Sequence, residues 1–124
     1  MELKEIFFDT YALIELFNGN SKYYQFKDAK IITTNLNLME FYYAILSRSG
    51  EEKAKELYKN LKENTFYVDD DIIFEAMKLR FENKKLNLSY VDAIGYIFAK
   101  RNKIQFLTGD EGFKFLANVL FIKK

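Results

Sequence analysis

Cysteine and histidine are both absent from this chain, and much familiar chemistry goes with them. Without cysteine there can be no disulfide, no thiol nucleophile and no cysteine-ligated zinc. Without histidine there is no Ser-His-Asp triad, no imidazole base and no histidine-ligated zinc. A hydrolase made from the remaining residues must activate water with a carboxylate or a carboxylate-bound metal. Proline is missing too. No run of about 18 apolar residues occurs, so nothing reads as membrane-spanning. The opening MELKEIFF lacks the charged start and long apolar stretch of a signal peptide, and a cytoplasmic location is the expectation. Charge of one sign is also lacking: 19 Lys and Arg face 18 Asp and Glu, a net +1. Bulk attraction to a polyanion is therefore weak, and any nucleic acid must be held by local placement of basic residues.

What is present suits one globular domain spanning residues 1–124. A chain of this length buries roughly two-thirds of its unfolded surface, and its residues are 49% apolar and 30% charged. Aromatics are heavy, with 13 Phe and 9 Tyr. So small a domain has difficulty hiding them all, which points to a protein interface. Candidates for its surface are Tyr23, Tyr24, Tyr42, Tyr43 and Tyr58, each of which also reads as ordinary core.

Periodicity divides the chain into alternating elements. Ile6-Phe7-Phe8 is a short apolar run that reads as a buried strand ending at Asp9. Helical spacing follows from Thr10 to Phe17 and stops at Asn18-Gly19. A short helix over 21–28 precedes a second strand at Ile31-Thr33. Asn35 is placed to cap a long apolar helix reaching Ser49-Gly50, and an amphipathic helix runs from Glu51 to about Lys62. Thr65 to Val68 reads as a third strand. Asp70 or Asp71 opens the next helix, which fades near Asn83. Ser89 caps another helix that ends near Arg101-Asn102. Ile104 to Thr108 is a fourth strand, followed by a helical turn or two over Asp110 to Ala117 and a last strand at Val119 to Ile122. This alternation, with strands apolar on both faces, predicts an α/β fold: a mostly parallel sheet of four to five strands with helices on both sides. Such sheets bind ligands beyond the carboxyl ends of their strands.

Four acids stand at that edge. Asp9 follows the first strand and Asp110 the fourth; each also suits a helix N-cap. Asp92 lies three residues after Ser89, where S-Y-V-D also reads as a capping box. Glu40 is different, because it sits inside an apolar helix where capping does not apply. It should be paired with Lys or Arg, lie on a narrow solvated strip through Asn37 and Ala44, or bind something. Two carboxylates ~4 Å apart repel by about 4 kcal/mol at an effective dielectric of ~20, so a gathered set needs protons or a cation. Hard oxygen ligands without His or Cys favour Mg²⁺ or Mn²⁺. From the residues alone, the reading reaches metal-dependent phosphate chemistry.

Four segments carry a family resemblance across nearly the whole chain. They are Phe8-Asp9-Thr10-Tyr11-Ala12-Leu13-Ile14, Asn37-Leu38-Met39-Glu40, Leu88-Ser89-Tyr90-Val91-Asp92-Ala93, and Phe106-Leu107-Thr108-Gly109-Asp110-Glu111-Gly112-Phe113. In order and spacing the chain resembles the PIN-domain ribonucleases, most of all the small VapC-type toxins of toxin–antitoxin pairs. The resemblance implies a PIN-like three-layer sandwich. It implies that Asp9, Glu40, Asp92 and Asp110 surround one or two Mg²⁺ or Mn²⁺ ions, supported by Thr108 and Thr10, and that the site hydrolyses RNA phosphodiesters. Glu111 either assists at the metal or favours a helix N-terminus. Tyr11 departs from the small or polar residue common at its place. An antitoxin partner and a homodimer follow from the same resemblance. Lys84, Lys85, Lys100, Arg101, Lys103 and Lys114 either meet RNA phosphates or form a solvated surface, and Lys114 is spaced to pair with Asp110.

Other readings compete. One is a PIN nuclease of ordinary RNA processing with no antitoxin, and another is a non-catalytic interaction module on the same fold. A third is transfer through an aspartyl-phosphate at Asp9, but phosphatases of that kind want a second Asp where Tyr11 stands.

Overall fold

In a computed structural model that describes residues 3–124, strand residues alternate between two hydrophobic layers. On strand β1 (Glu5–Phe8), Ile6 and Phe8 point to one face and Phe7 to the other. Strand β4 (Gln105–Thr108) does the same with Leu107 and Phe106. Helices α1 (Thr10–Phe17), α2 (Asn35–Ser49) and α3 (Glu51–Lys62) cover the first face. Helices α4 (Asp70–Glu82) and α5 (Tyr90–Arg101) cover the second. The result is the three-layer sandwich that the alternation predicts.

The remaining strands are β2 (Lys30–Thr34), β3 (Thr65–Phe66) and β5 (Val119–Phe121). All neighbours are parallel, in the order β3-β2-β1-β4-β5. The chain moves outward from β1 to β2 and β3, then crosses to the other side of β1 for β4 and β5. That reversal opens a crevice between the carboxyl ends of β1 and β4. Asp9 and Asp110 follow those two strands, and the Asp9 N–H donates to Leu107 O at 3.2 Å.

Close approach on the second face depends on Gly95 in α5. A Cβ there would stand 2.9 Å from the Phe7 ring. Phe7 in turn packs on Phe106 and Phe98, with ring centroids 5.5 and 5.9 Å apart. The missing side chain lets α5 settle onto the centre of the sheet.

Several boundaries differ from the sequence expectation. Thr34, not Asn35, caps α2, its hydroxyl accepting from the Asn37 N–H at 3.3 Å. Asp69, not Asp70 or Asp71, caps α4. The third strand is only two residues long: Tyr67 beyond it is exposed at this sheet edge. The helix over 21–28 is a 3₁₀ helix at Ser21–Phe26, and the one after Asp110 is a single 3₁₀ turn at Glu111–Phe113. Tyr23 is 1% exposed and belongs to the core, not to a surface. Tyr42 and Tyr58 are half-buried against each other, whereas Tyr24 and Tyr43 are exposed. Among the described residues, no helix is long and apolar enough to cross a membrane.

Candidate active site

Beyond the carboxyl ends of β1 and β4 lies a cleft of about 580 Å³. Asp9, Glu40, Asp92 and Asp110 all line it. The sequence left capping and ligand duty as alternatives for three of these acids; the structure shows Asp9 and Asp110 bonding the backbone while all three line the cleft, so capping does not remove them from it. Asp9 Oδ1 accepts the Ala12 N–H at 2.7 Å and so caps α1. Asp110 Oδ1 accepts the Gly112 N–H at 2.9 Å. Asp92 sits in the first turn of α5, its N–H donating to Ser89 Oγ at 3.0 Å. A carboxylate has two oxygens and about four lone-pair sites. One cap bond leaves Asp9 and Asp110 each an oxygen for the cleft.

Glu40 is neither paired with a cation nor placed on a solvated strip. Its Oε1 accepts the Thr10 hydroxyl at 2.6 Å. Thr10 Oγ1 accepts in turn from Asn37 Nδ2 at 3.2 Å, and Asn37 Oδ1 accepts the Thr34 hydroxyl at 2.7 Å. Thr34 and Asn37 are fully buried. This chain of polar groups begins in the interior and ends at Glu40, so it fixes the carboxylate from below. Helix α2 is also less enclosed than its composition suggests. Met39 and Tyr43 are 56% and 71% exposed, and they flank Glu40 on the cleft wall. Asn37, seen in the sequence only as part of a polar strip, is the buried member that orients Thr10. Thr108 is buried as well, and its hydroxyl accepts the Asp110 N–H at 3.0 Å, holding the turn after β4.

Electrostatics separates these acids from ordinary surface carboxylates. Asp9 is 2% exposed. Burial, and next the charge of Asp92, raise its pKa from 3.8 to about 7, against the pull of Thr108, Ala12 N–H and Lys124. Asp92 is raised to about 6, mainly by burial, with Asp110 and Glu40 adding to the effect. Asp9 thus feels the charge of Asp92, and Asp92 feels Asp110 and Glu40. Among the described residues, no salt bridge involves any of the four.

Those observations decide whether a divalent ion suits the residues. Among the described residues, no three acids are gathered closely enough to form a ready-made metal site. The donor set nonetheless fits a hard cation: four carboxylates in a chain without His or Cys, and two protonation equilibria displaced by burial and repulsion.

The basic residues proposed from sequence lie elsewhere. Arg101 pairs with Glu75 at 2.8 Å. Lys84 sits over the Phe81 ring, and Lys114 lies over Phe115 and Phe121 instead of pairing with Asp110. Glu111 is exposed and does not line the cleft. The cation that does line it is Lys124, which the sequence reading missed. Topology carried the signal: β5 is parallel to β4, so the residues after β5 arrive at the same edge as Asp110.

Comparison with known proteins agrees with this architecture. No curated protein sequence matches the chain. Among solved structures, a toxin–antitoxin complex from Klebsiella pneumoniae superimposes with a TM-score of 0.78 at 22% identity, over 96% of this chain and 99% of that one. VapC20 of Mycobacterium tuberculosis, described as a sarcin–ricin loop cleaving toxin, gives 0.78 at 19% identity, over 96% and 99%. VapBC2 of Rickettsia felis, bound to a promoter DNA fragment, gives 0.72 at 15%, over 97% and 98%. At these identities the likeness establishes the fold. The model of the PIN domain matches residues 6–119. With that match across most of its length, the chain belongs to the PIN domain family.

Proposed function

We propose that this protein is a divalent-metal-dependent endoribonuclease, and that it is the toxin of a VapBC-like toxin–antitoxin pair acting in the cytoplasm. The observation that carries the reading is the convergence of four carboxylates on one cleft at the sheet's switch point, with no basic side chain among the described residues paired to any of them. Asp9, Glu40, Asp92 and Asp110 would hold one or two Mg²⁺ or Mn²⁺ ions. Such an ion, when bound, supplies Lewis acidity toward phosphate oxygen and a lowered pKa for water.

The protein's own groups do the rest. Burial holds the pKa of Asp9 at about 7 and that of Asp92 at about 6, so protons would compete with a divalent ion for these two carboxylates. Thr10 and Asn37 hold Glu40 at the wall, so that its rotamer is set before ligand arrives. Thr108 fixes the turn that presents Asp110. Ile14, Met39, Tyr43 and Ala44 form an apolar flank beside the acids, which limits water and suits the faces of unpaired bases. Single-stranded RNA is the substrate this favours.

Cleavage of a mixed panel of RNAs with Mg²⁺ or Mn²⁺ added and then chelated tests the proposal. Activity should require the metal and should fall by about 100-fold or more in Asp9→Asn and Asp92→Asn. Cleavage that persists unchanged in both variants would sink it. The toxin assignment draws support from structural relatives described as toxin–antitoxin assemblies, and from the exposed Met39, Tyr43, Phe74 and Phe81, which offer surface to an antitoxin or to a second copy in a homodimer. A small antitoxin-like reading frame adjoining this one separates it from a nuclease of ordinary RNA processing.

A further inference from the structure

Lys124 reaches the acidic cleft by a route that is built at each step. The Ile122 N–H donates to Thr108 O at 2.9 Å, which carries the pairing of β5 with β4 one residue further. Lys22 Nζ lies 3.5 Å from Lys123 O and holds the next residue. Beneath them is Gly109, between Thr108 and Asp110. A Cβ on Gly109 would stand 2.8 Å from Ile122 O, 2.9 Å from Lys124 Cγ and 3.4 Å from the Tyr11 ring. The aliphatic stem of Lys124 therefore lies in space that any other residue at 109 would fill.

The ammonium group is aimed as well as delivered. It sits over the Tyr11 ring, 4.6 Å from the centroid. Among the described residues, no carboxylate lies within ion-pair distance of it. Its charge still acts on the cleft, opposing the upward shifts of Asp9 and Asp92. A cation held by an aromatic face, beside acids it does not pair with, keeps its donors available for an incoming anion. The anion chemistry that belongs in this cleft is a phosphodiester.

We propose that Lys124 is a substrate-binding residue that contacts a non-bridging phosphate oxygen of the nucleic acid strand, with Tyr11 and Gly109 as the residues that position it. The proposal rests on the nuclease reading for the identity of the strand. The Tyr11 ring forms the platform for the ammonium.

Equilibrium binding of a fluorescein-labelled, unstructured RNA oligonucleotide in Ca²⁺, at several salt concentrations, tests the contact without relying on turnover. Lys124→Gln should weaken binding about five- to tenfold at low salt. It should also reduce the steepness of the salt dependence by about 0.7, the loss of one single-strand phosphate contact. Lys124→Arg should retain both. In cleavage assays the Gln variant should raise KM with kcat within about twofold of wild type. Unchanged affinity and salt slope in Lys124→Gln would overturn the proposal. So would weakened Mn²⁺ binding by calorimetry in that variant, since removing a neighbouring cation should leave or strengthen the binding of a divalent ion, and Lys124 would then act through the structure of the site. RNA that binds in a Lys124-dependent way but is not cut in Mg²⁺ or Mn²⁺ would overturn the ribonuclease reading and support the contact.

Discussion

Replacing Asp9 with Asn should make the metal-free protein more stable at neutral pH, although Asp9 caps a helix. Asn keeps the oxygen that accepts the Ala12 N–H, and Asn and Asp are comparable N-caps. What the substitution removes is a buried charge. The Asp9 pKa is about 7 in the folded protein against 3.8 as its ordinary value. An acid with a raised folded pKa binds more protons folded than unfolded, so stability falls as pH rises between the two values. Below about pH 4 the cost is absent, and above about pH 7 it is complete. A shift of ~3 units corresponds to about 4 kcal/mol. Part of this is repulsion from Asp92, which itself takes up protons, so a realistic gain for Asp9→Asn is about 2–4 kcal/mol. For a chain of this length that is a rise in Tm on the order of 10 °C. Thermal unfolding followed by circular dichroism in EDTA, at pH 3.5 and pH 8, provides the measurement. The two proteins should melt together in acid and separate at pH 8, with the variant higher. Saturating Mn²⁺ should then raise the wild type more than the variant. A variant that melts below wild type at pH 8, or a gap that does not change with pH, would refute the electrostatic argument.

Other predictions follow from the same geometry. Affinity for Mn²⁺, measured by calorimetry from pH 5 to pH 8, should increase steeply through pH 6–7 as Asp92 and Asp9 lose the protons that compete with the ion; a flat profile would remove these two residues from the ligand set. Thr10→Val leaves Asn37 Nδ2 without its partner and frees Glu40. It should cost about 1–3 kcal/mol in urea unfolding and lower cleavage without changing the fold seen by circular dichroism. Gly95→Ala places a methyl group 2.9 Å from the Phe7 ring and should destabilise by about 1–3 kcal/mol, read from the same urea curves. Glu40→Gln preserves the Thr10 hydrogen bond and should raise Tm in EDTA while weakening Mn²⁺ binding, whereas a clear loss of stability would contradict a site under mutual repulsion.

The fold was legible because its signals are local and repeated. Apolar runs such as Ile6-Phe7-Phe8, ended by polar residues and followed by helical spacing, fix both the elements and their parallel arrangement. Asp9, Asp92 and Asp110 were legible as a set for the same reason: each stands just after a strand or at the start of a helix that follows one. For Asp9 and Asp110 a cap bond and a place on the cleft coexist, since one oxygen bonds the backbone while the residue still lines the cleft. Glu40 lines the same cleft, but the sequence argument for singling it out was incomplete. The sequence shows apolar neighbours and cannot show that Met39 and Tyr43 are exposed. Its true partner, Thr10, comes from another helix 30 residues earlier, a relation no spacing rule reaches. The cap of α2 was misplaced by one residue because Thr34 and Asn35 are both good caps, and the register of β2 decides between them. Lys124 was overlooked because a single lysine after a strand carries no pattern of its own.

The strand order also dictates when the cleft can exist. β1 gains β2 as a neighbour from sequence close by, but its other neighbour, β4, lies about a hundred residues further along the chain. Asp9 meets Asp110 only when that second pairing closes, and Lys124 joins only once β5 has docked on β4. Such distant closures come late, after loop-closure entropy has been overcome. A growing or partly folded chain therefore carries each acid on its own element without the assembled set. The four-acid cleft is therefore complete only once both distant pairings have closed, and a chain lacking either pairing lacks the assembled set.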